Sequence, residues 1–246
     1  MHRFVLVFVF FASVHSQTDI LGQLHICKRS DPKLNDCLKS SIKGALKILA
    51  SGVPSLKIPS IDPIEVERWT IHASDVLPYE QYYENLNLTG YSDIEIEDVY
   101  TNVGDEYFSI HLMCSAPKLL VQGDYAYYLV RPTKGEDLSS QGTVEYKYDA
   151  HKFFVKFDGD IIKKGGVEYS EIIRTDFSMV RLRSFEMTFQ TDHQRIGDKL
   201  GELVNGGTRK LATINMGEYE EMYAAAFQRI ANAVFASNPS EKLLPK

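Results

Sequence analysis

The chain changes from helical to strand-like hydrophobic spacing and back again. Apolar residues recur every three or four positions over residues 34–49, directly after the N-cap-like segment Ser30-Asp31-Pro32. From about residue 64 to 190, apolar and polar positions alternate instead. Helical spacing returns in a short stripe that starts at Ile196 and in a longer one over residues 219–235. The pattern predicts one helix, a long antiparallel meander and two further helices.

Turn signals containing glycine divide the alternating region into strands. They occur at Gly90, Gly104-Asp105, Gly123-Asp124, Lys134-Gly135, Asp158-Gly159 and Gly165-Gly166. A slip in the alternation near Glu67-Arg68 also predicts a β-bulge in the first strand. We therefore expect strands that follow one another in sequence order and are joined by tight turns.

An amphipathic sheet of this size must cover its apolar face. About two long helices are available for that purpose, so the economical arrangement curls the sheet around the C-terminal helix. The ends of such an elongated roll are hard to fill with side chains, and an unfilled apolar space is a potential ligand site. The sequence therefore predicts a single α+β domain over residues 17–246, with a hollow interior.

The first sixteen residues have the layout of a secretory signal peptide. Arg3 precedes an unbroken apolar run over residues 4–12, and Ser13-Val14-His15-Ser16 supplies small residues at the expected cleavage site. The run is about half the length that a bilayer-spanning helix needs. We therefore expect residues 1–16 to be removed and the protein to be secreted, with no integral membrane association.

Charge and cysteine content agree with an extracellular location. The formal net charge of −6 argues against nucleic acid or an anionic membrane as the main partner. In an oxidising compartment Cys27 and Cys37 are the obvious disulfide pair, which leaves Cys114 as a buried thiol. Asn87-Leu88-Thr89 is an acceptable N-glycosylation sequon.

The motifs of common enzyme classes are absent from the sequence. There is no G-x-S-x-G elbow, H-E-x-x-H pair, P-loop or Rossmann glycine pattern, and the histidines are scattered. With two cysteines in a bridge, no tetrahedral zinc set is available. The carboxylates of Glu95, Glu97 and Asp98 are better explained as a solvated strand face than as an acid–base pair. We expect a protein that is not an enzyme and that carries neither cofactor nor metal.

Side chains on the apolar strand faces are the candidate ligand contacts, with ordinary core packing as the alternative interpretation. They are Trp69, Phe108, Ile110, Leu112, Tyr125 and Tyr127. A tyrosine on an apolar wall can offer its hydroxyl to an epoxide, ester or carboxyl group.

Several segments resemble the takeout and juvenile-hormone-binding family of insects. Besides the cysteine pair, they are Ile58-Pro59-Ser60-Ile61-Asp62-Pro63-Ile64, Leu88-Thr89-Gly90-Tyr91-Ser92, Pro117-Lys118-Leu119 with Gly123-Asp124-Tyr125, and the tail over residues 230–245. They follow one another at family spacing along nearly the whole mature chain.

The resemblance implies a long C-terminal helix wrapped by a strongly curved antiparallel sheet, an elongated super-roll with an apolar tunnel. It also implies a short N-terminal helix that acts as a gate and is tethered by the Cys27–Cys37 disulfide, with Leu34 and Leu38 facing the ligand mouth. Residues 131–136 and 191–197 depart from the family pattern at one end of the roll, so the ligand's identity does not transfer.

The resulting hypothesis is a monomeric secreted carrier of a terpenoid hormone or a fatty-acid-like molecule. Family biology would place it in hormone transport, feeding, chemosensation or circadian output. Two alternatives stay open: an extracellular signalling protein that acts through a receptor, and an ester hydrolase with a Ser-His-acid set in the pocket.

Overall fold

The computed structural model describes five stretches of the chain. These are residues 21–75, 77–131, 135–181, 183–206 and 215–246. The predicted signal peptide over residues 1–16 lies outside the described residues, as does part of the predicted turn over residues 131–136.

Four helices and seven strands are defined within these stretches. The helices are α1 (Leu34–Ile48), α2 (Gln194–Gly206), α3 (Met216–Ala236) and α4 (Ser240–Leu243), with short 3₁₀ turns at Leu21–Gln23, Pro54–Leu56 and Tyr91–Asp93. The strands are β1 (Ile64–Ile71), β2 (Tyr79–Thr89), β3 (Glu95–Val103), β4 (Tyr107–Leu129), β5 (Ser140–Lys164), β6 (Val167–Arg181) and β7 (Ser184–Gln190). Among the described helices, none is both long and apolar enough to cross a membrane.

Two long strands organise the antiparallel sheet. β4 and β5 pair along almost their entire length of 23 and 25 residues. On one side β4 pairs first with β3 and then with β2, while on the other side β5 pairs first with β7 and then with β6. The roll therefore has two ends, which we call the α1 end, where α1 packs on β3, and the α2 end, where α2 packs on β7.

The C-terminal helix α3 runs inside the curved sheet, as predicted. Its Phe235 ring meets Phe108 of β4 with centroids 5.7 Å apart. Tyr223 of α3 stacks on Phe177 of β6 at 4.9 Å. α3 also contacts β1, and β1 and β6 are the two edge strands in the order β1-β2-β4-β5-β6. The sheet must therefore curl around this helix, and the predicted α+β roll is confirmed.

Tyrosine side chains fill the interior between the middle of the roll and the α2 end. Tyr83, Tyr127 and Tyr219 bring their hydroxyls together, and Tyr83 also donates to Gln81 Oε1 at 3.1 Å. Burial raises the pKa of Tyr83 and Tyr127 well above the ordinary value of 10, so both hydroxyls stay neutral. This part of the interior is packed with rings that are linked by hydrogen bonds.

Two predicted turns are wrong, because Gly123-Asp124 and Asp158-Gly159 lie inside β4 and β5. A Cβ added at Gly123 would lie 2.8 Å from the backbone oxygen of Glu84, and one at Gly159 would lie 2.3 Å from the Phe108 ring. Glycine is needed at both positions for close approach rather than for chain reversal.

The other turn and bulge predictions had mixed outcomes. Gly104-Asp105 and Gly165-Gly166 do join consecutive strands, and both glycines of the second pair have positive φ. The bulge predicted near Glu67-Arg68 lies instead in the neighbouring strand, where the β2–β4 register shifts between Glu84 and Asn87. The irregularity faces the predicted position across the β1–β2 ladder.

His151 is buried on β5 and is only 1% exposed. Its ring lies between Tyr148 and Phe153, at centroid distances of 5.8 Å and 5.2 Å. Desolvation lowers the pKa of His151 from 6.5 to about 4. The folded protein therefore holds this imidazole neutral at pH values where an unfolded chain would protonate it.

We expect acid to destabilise the protein through this histidine. Between pH 6.5 and about 4 the histidine binds a proton in the unfolded chain but stays neutral in the folded protein. The free energy of unfolding therefore decreases as the pH falls through this range. The shift corresponds to about 3 kcal/mol in the free energy of unfolding. Urea unfolding at pH 7.5 and pH 4 should show a smaller loss for His151→Phe than for the wild type. The exposed control His193→Gln should behave like the wild type, and equal pH dependence in all three proteins would contradict the assignment.

Candidate ligand cavity

An apolar cavity of about 240 Å³ lies at the α1 end of the roll. α1, α3 and the C-terminal tail form one side of it, and the first half of β4 with the second half of β5 forms the other. Among the described lining residues, the polar atoms come only from Arg29, Ser41, Tyr91 and Ser170 and from the backbone. A space of this size and character is a site for a small hydrocarbon-rich molecule.

α1 covers the cavity with its apolar face. Leu38, Ile42, Ala45 and Leu46 recur at helical spacing and line the space, and no residue of α1 is fully buried. Polar contacts hold the helix at its edge: Lys39 Nζ donates to the backbone oxygen of Glu97 at 2.5 Å. The helix thus covers the cavity with the same half-buried face that packs against the edge of the core.

The Cys27–Cys37 disulfide joins the entering chain to α1, which confirms the predicted pair. It closes a loop with a sequence separation of 10, and a cross-link of that span contributes about 3 kcal/mol in the chain-entropy model. His25 lies beside the two sulfur atoms, in the one group of possible metal ligands among the described residues. Both sulfurs are consumed by the bridge, so the group has no thiolate to offer a metal.

Arg29 connects the segment after Cys27 to the C-terminal tail at the rim of the cavity. Its backbone N–H donates to the oxygen of Pro245 at 2.7 Å, and its Nε donates to the oxygen of Leu244 at 2.8 Å. A longer contact of 3.4 Å joins Nη1 to the oxygen of Gly104. The guanidinium is therefore fixed in orientation beside the hydrocarbon space.

Tyr91 and Phe227 close the inner end of the cavity, with ring centroids 5.5 Å apart. Behind them the rings of Phe153 and Tyr223 contact Tyr91 at 6.2 Å and 6.1 Å. The buried Tyr91 hydroxyl lies beside that of Tyr223, and burial raises the pKa of Tyr91 well above its ordinary value of 10. The cavity therefore ends in an aromatic wall.

Asp62 holds the short turn that positions Tyr91. One carboxylate oxygen accepts from the N–H of Gly90 at 3.0 Å, and the other accepts from the N–H and the hydroxyl of Ser92 at 3.1 Å and 2.6 Å. Gly90 has a φ of 100°, which favours glycine. The two sequence segments around residues 58–64 and 88–92 thus meet through this carboxylate.

The structure separates the predicted ligand contacts into two groups. Leu38, Phe108, Ile110 and Leu112 line the cavity. Leu34, Trp69, Tyr125 and Tyr127 do not: Leu34 lies at the first turn of α1, Trp69 is half-buried on β1, and the two tyrosines pack at the α2 end. Whether any of the eight contacts a ligand stays a prediction.

The two remaining predicted positions lie elsewhere. Asn87 is exposed on β2, where a glycan would have access to solvent. Cys114 is a buried free thiol, as expected, and burial raises its pKa to about 12. A thiol of that pKa stays protonated and unreactive at physiological pH.

Sequence reasoning missed three important lining residues. Phe227 belongs to the helical stripe that predicted α3, but periodicity alone does not tell a cavity wall from a filled core. Tyr91 was part of a noted segment without an assigned role. Arg29 gave no signal, because its partner Leu244 is 215 positions away in the sequence.

A sheet rolled around one long helix, with an apolar cavity under a disulfide-tethered cover, defines a takeout-like fold. The crystal structure of Takeout 1 from Epiphyas postvittana matches with a TM-score of 0.69 and 14% sequence identity, over 91% of this chain and 100% of that chain. The family model described as haemolymph juvenile hormone binding protein matches residues 4–245. The chain therefore belongs to the haemolymph juvenile hormone binding protein family.

A second solved structure, lipopolysaccharide binding protein, matches with a TM-score of 0.40 and 10% identity, over 79% of this chain and 37% of that chain. No curated protein sequence matches this chain.

Replacing Asp62 should loosen the inner end of the cavity. Asp62→Ala removes three hydrogen bonds to a carboxylate, and we expect the free energy of unfolding to fall by about 2–3 kcal/mol. Asp62→Asn retains an acceptor oxygen and should cost clearly less. Urea denaturation of the two variants measures the difference. Equal stability of Asp62→Ala and the wild type would show that the carboxylate does not hold the turn.

Proposed function

We propose that this protein is a secreted carrier that holds one small hydrophobic molecule in the cavity beneath α1. The observation that carries the proposal is the cavity itself: about 240 Å³ of space lined almost entirely by hydrocarbon. Membership of a family described by juvenile hormone binding supports the same role. A terpenoid or a fatty-acid-like molecule is the matching ligand class.

The energy for binding comes from filling an apolar space. Mutational cavities cost about 24 cal/mol per Å³ in folded proteins, so occupying this one gains about 6 kcal/mol. A gain of that size supports dissociation constants on the order of 10–100 micromolar before any polar contact is added. The volume is slightly below the usual range of about 300–1,000 Å³ for ligand pockets, which favours compact ligands.

α1 is the element that would move to admit the ligand. Its residues are all at least partly exposed, and its apolar face both lines the cavity and packs, half-buried, against the edge of the core. Few buried contacts make an element cheap to displace. The disulfide would keep the displaced helix attached to the preceding segment, so that it closes again over the ligand.

A passive carrier fits the cavity better than an ester hydrolase. Ser41 and Ser170 supply hydroxyls, but the described lining contains neither a histidine nor a carboxylate. A serine nucleophile needs such a base to become reactive. The hydrolase alternative therefore lacks its central requirement in this part of the chain.

A receptor-mediated role has a weaker basis. Tyr82 and Tyr128 are exposed and contact each other edge to face at 5.9 Å, on the outer side of the sheet. An exposed aromatic pair can serve as a contact surface, but a receptor-mediated role does not explain the apolar cavity at the α1 end.

We regard secretion, glycosylation at Asn87, a monomeric state and roles in hormone transport, feeding, chemosensation or circadian output as parts of the carrier proposal.

A cavity-filling substitution tests the carrier role. Ala231 lines the cavity on α3, so Ala231→Trp should occupy much of its volume and weaken binding of N-phenyl-1-naphthylamine, a fluorescent apolar probe, at least tenfold. Ala225→Trp places the same side chain on an exposed position of the same helix and should leave probe binding as in the wild type.

Circular dichroism melting of both variants checks that they fold, and Ala231→Met provides a milder filling if the tryptophan is not tolerated. Unchanged probe affinity in a folded Ala231 variant, or no probe binding by the wild type, would overturn the proposed site.

A further inference from the structure

Arg29 brings a positive charge to the rim of a hydrocarbon cavity. It is the one charged residue among the described residues that line the space, and it is half-buried. No side-chain carboxylate of the described chain lies within ion-pair distance of its guanidinium. The acid nearest in sequence to its Gly104 contact is Asp105, which is highly exposed and pairs with Lys246 at 3.3 Å.

The protein orients this charge without neutralising it. Arg29 donates to two backbone oxygens, those of Leu244 and Gly104, and both acceptors are uncharged. A guanidinium has five N–H donors, so most of them stay free for another acceptor. A fixed fork of donors beside an apolar space matches a carboxylate, which accepts two parallel hydrogen bonds with a charge-assisted gain.

The opposite end of the cavity sets a length limit. Phe227 and Tyr91 form its wall there, whereas Phe235 and Phe108 lie beside the Arg29 end. The eight residue steps from Phe227 to Phe235 along α3 span about 12 Å. Carbon–carbon single bonds of about 1.5 Å in an extended zigzag advance about 1.25 Å each, so a span of that length takes a chain of about ten carbons.

We propose that the cavity selects medium-chain carboxylic acids, of about eight to ten carbons, with the carboxylate on Arg29 and the chain end against Tyr91 and Phe227. The inference rests on the carrier role and names its ligand class. A longer chain would have to displace the aromatic wall, and a neutral head group would leave the Arg29 charge without a counterion.

Competition binding separates this inference from the carrier role. Straight-chain acids of six to sixteen carbons and their methyl esters would displace N-phenyl-1-naphthylamine at pH 7.5. We expect the acids of eight to ten carbons to bind at least tenfold more tightly than their own esters. Raising the sodium chloride concentration from 50 to 500 mM should reduce that ratio, because salt screens the partly exposed charge.

Substitutions of Arg29 and Phe227 test which residue contacts each end of the ligand. Arg29→Gln should bring the ratio of acid to ester affinity close to one, whereas Arg174→Gln, an exposed arginine on β6, should keep the wild-type ratio. Arg29→Lys retains the charge and should retain part of the preference, which keeps the test valid if Arg29→Gln folds poorly. Phe227→Ala should move the preferred acid to a longer chain, and Phe227→Leu should move it less.

The outcomes have distinct meanings. If acids and esters displace the probe equally well, or if Arg29→Gln keeps the acid preference, the carboxylate assignment is wrong while the carrier role stands. If sixteen-carbon acids bind as tightly as ten-carbon acids in the wild type, the length limit is wrong. If neither probe, acid nor ester binds, the carrier role itself fails.

Discussion

The apolar inner face of one long sheet must be kept from water, and this constraint governs the molecule. A sheet that carries its apolar residues on one face needs a cover of matching length. α3 supplies that cover along the axis of the roll: its rings contact β4 and β6, and the helix also contacts β1 at the opposite edge of the sheet. At the α1 end this helix leaves part of the space between the strands unfilled, and α1, which has no fully buried residue, covers it.

The two ends of the roll meet the same constraint with different side chains. Toward the α2 end, large tyrosines occupy the interior and satisfy one another's hydroxyls, as Tyr83 and Tyr127 do. At the α1 end the lining is mostly aliphatic, and the summed side-chain volume leaves a hollow. Tyr91 and Phe227 mark the boundary between the filled and the hollow part. The cavity therefore results from the smaller side chains at the α1 end, whereas the same sheet and helix continue through both ends of the roll.

Hydrophobic spacing predicted the helices and the faces of the strands but not the position of the site along the roll. The buried apolar positions of β4 are even-numbered up to Ala116 and odd-numbered from Leu119 onward, so Leu112 and Tyr127 both point inward. Which of these two side chains borders the cavity depends on the volumes of side chains from other elements. The sequence of one strand carries no information about those volumes. The turns predicted at Gly123 and Gly159 were wrong for a related reason. Glycine is required both where a neighbouring chain approaches closely and where the chain reverses, and the sequence does not distinguish the two cases. The carboxylate of Asp62 and the charge of Arg29 gained their roles only through partners distant in sequence.

The unbroken course of β4 and β5 has a consequence for how the protein opens. Each strand contributes backbone hydrogen bonds to both ends of the roll, so loss of either strand from the sheet would disrupt both ends. Amide hydrogens throughout these two strands should exchange with deuterium in one shared event instead of in separate local openings. A molecule seated beneath α1 would then slow exchange in the distant tyrosine-rich half as well, because stabilising the native state raises the cost of that single opening.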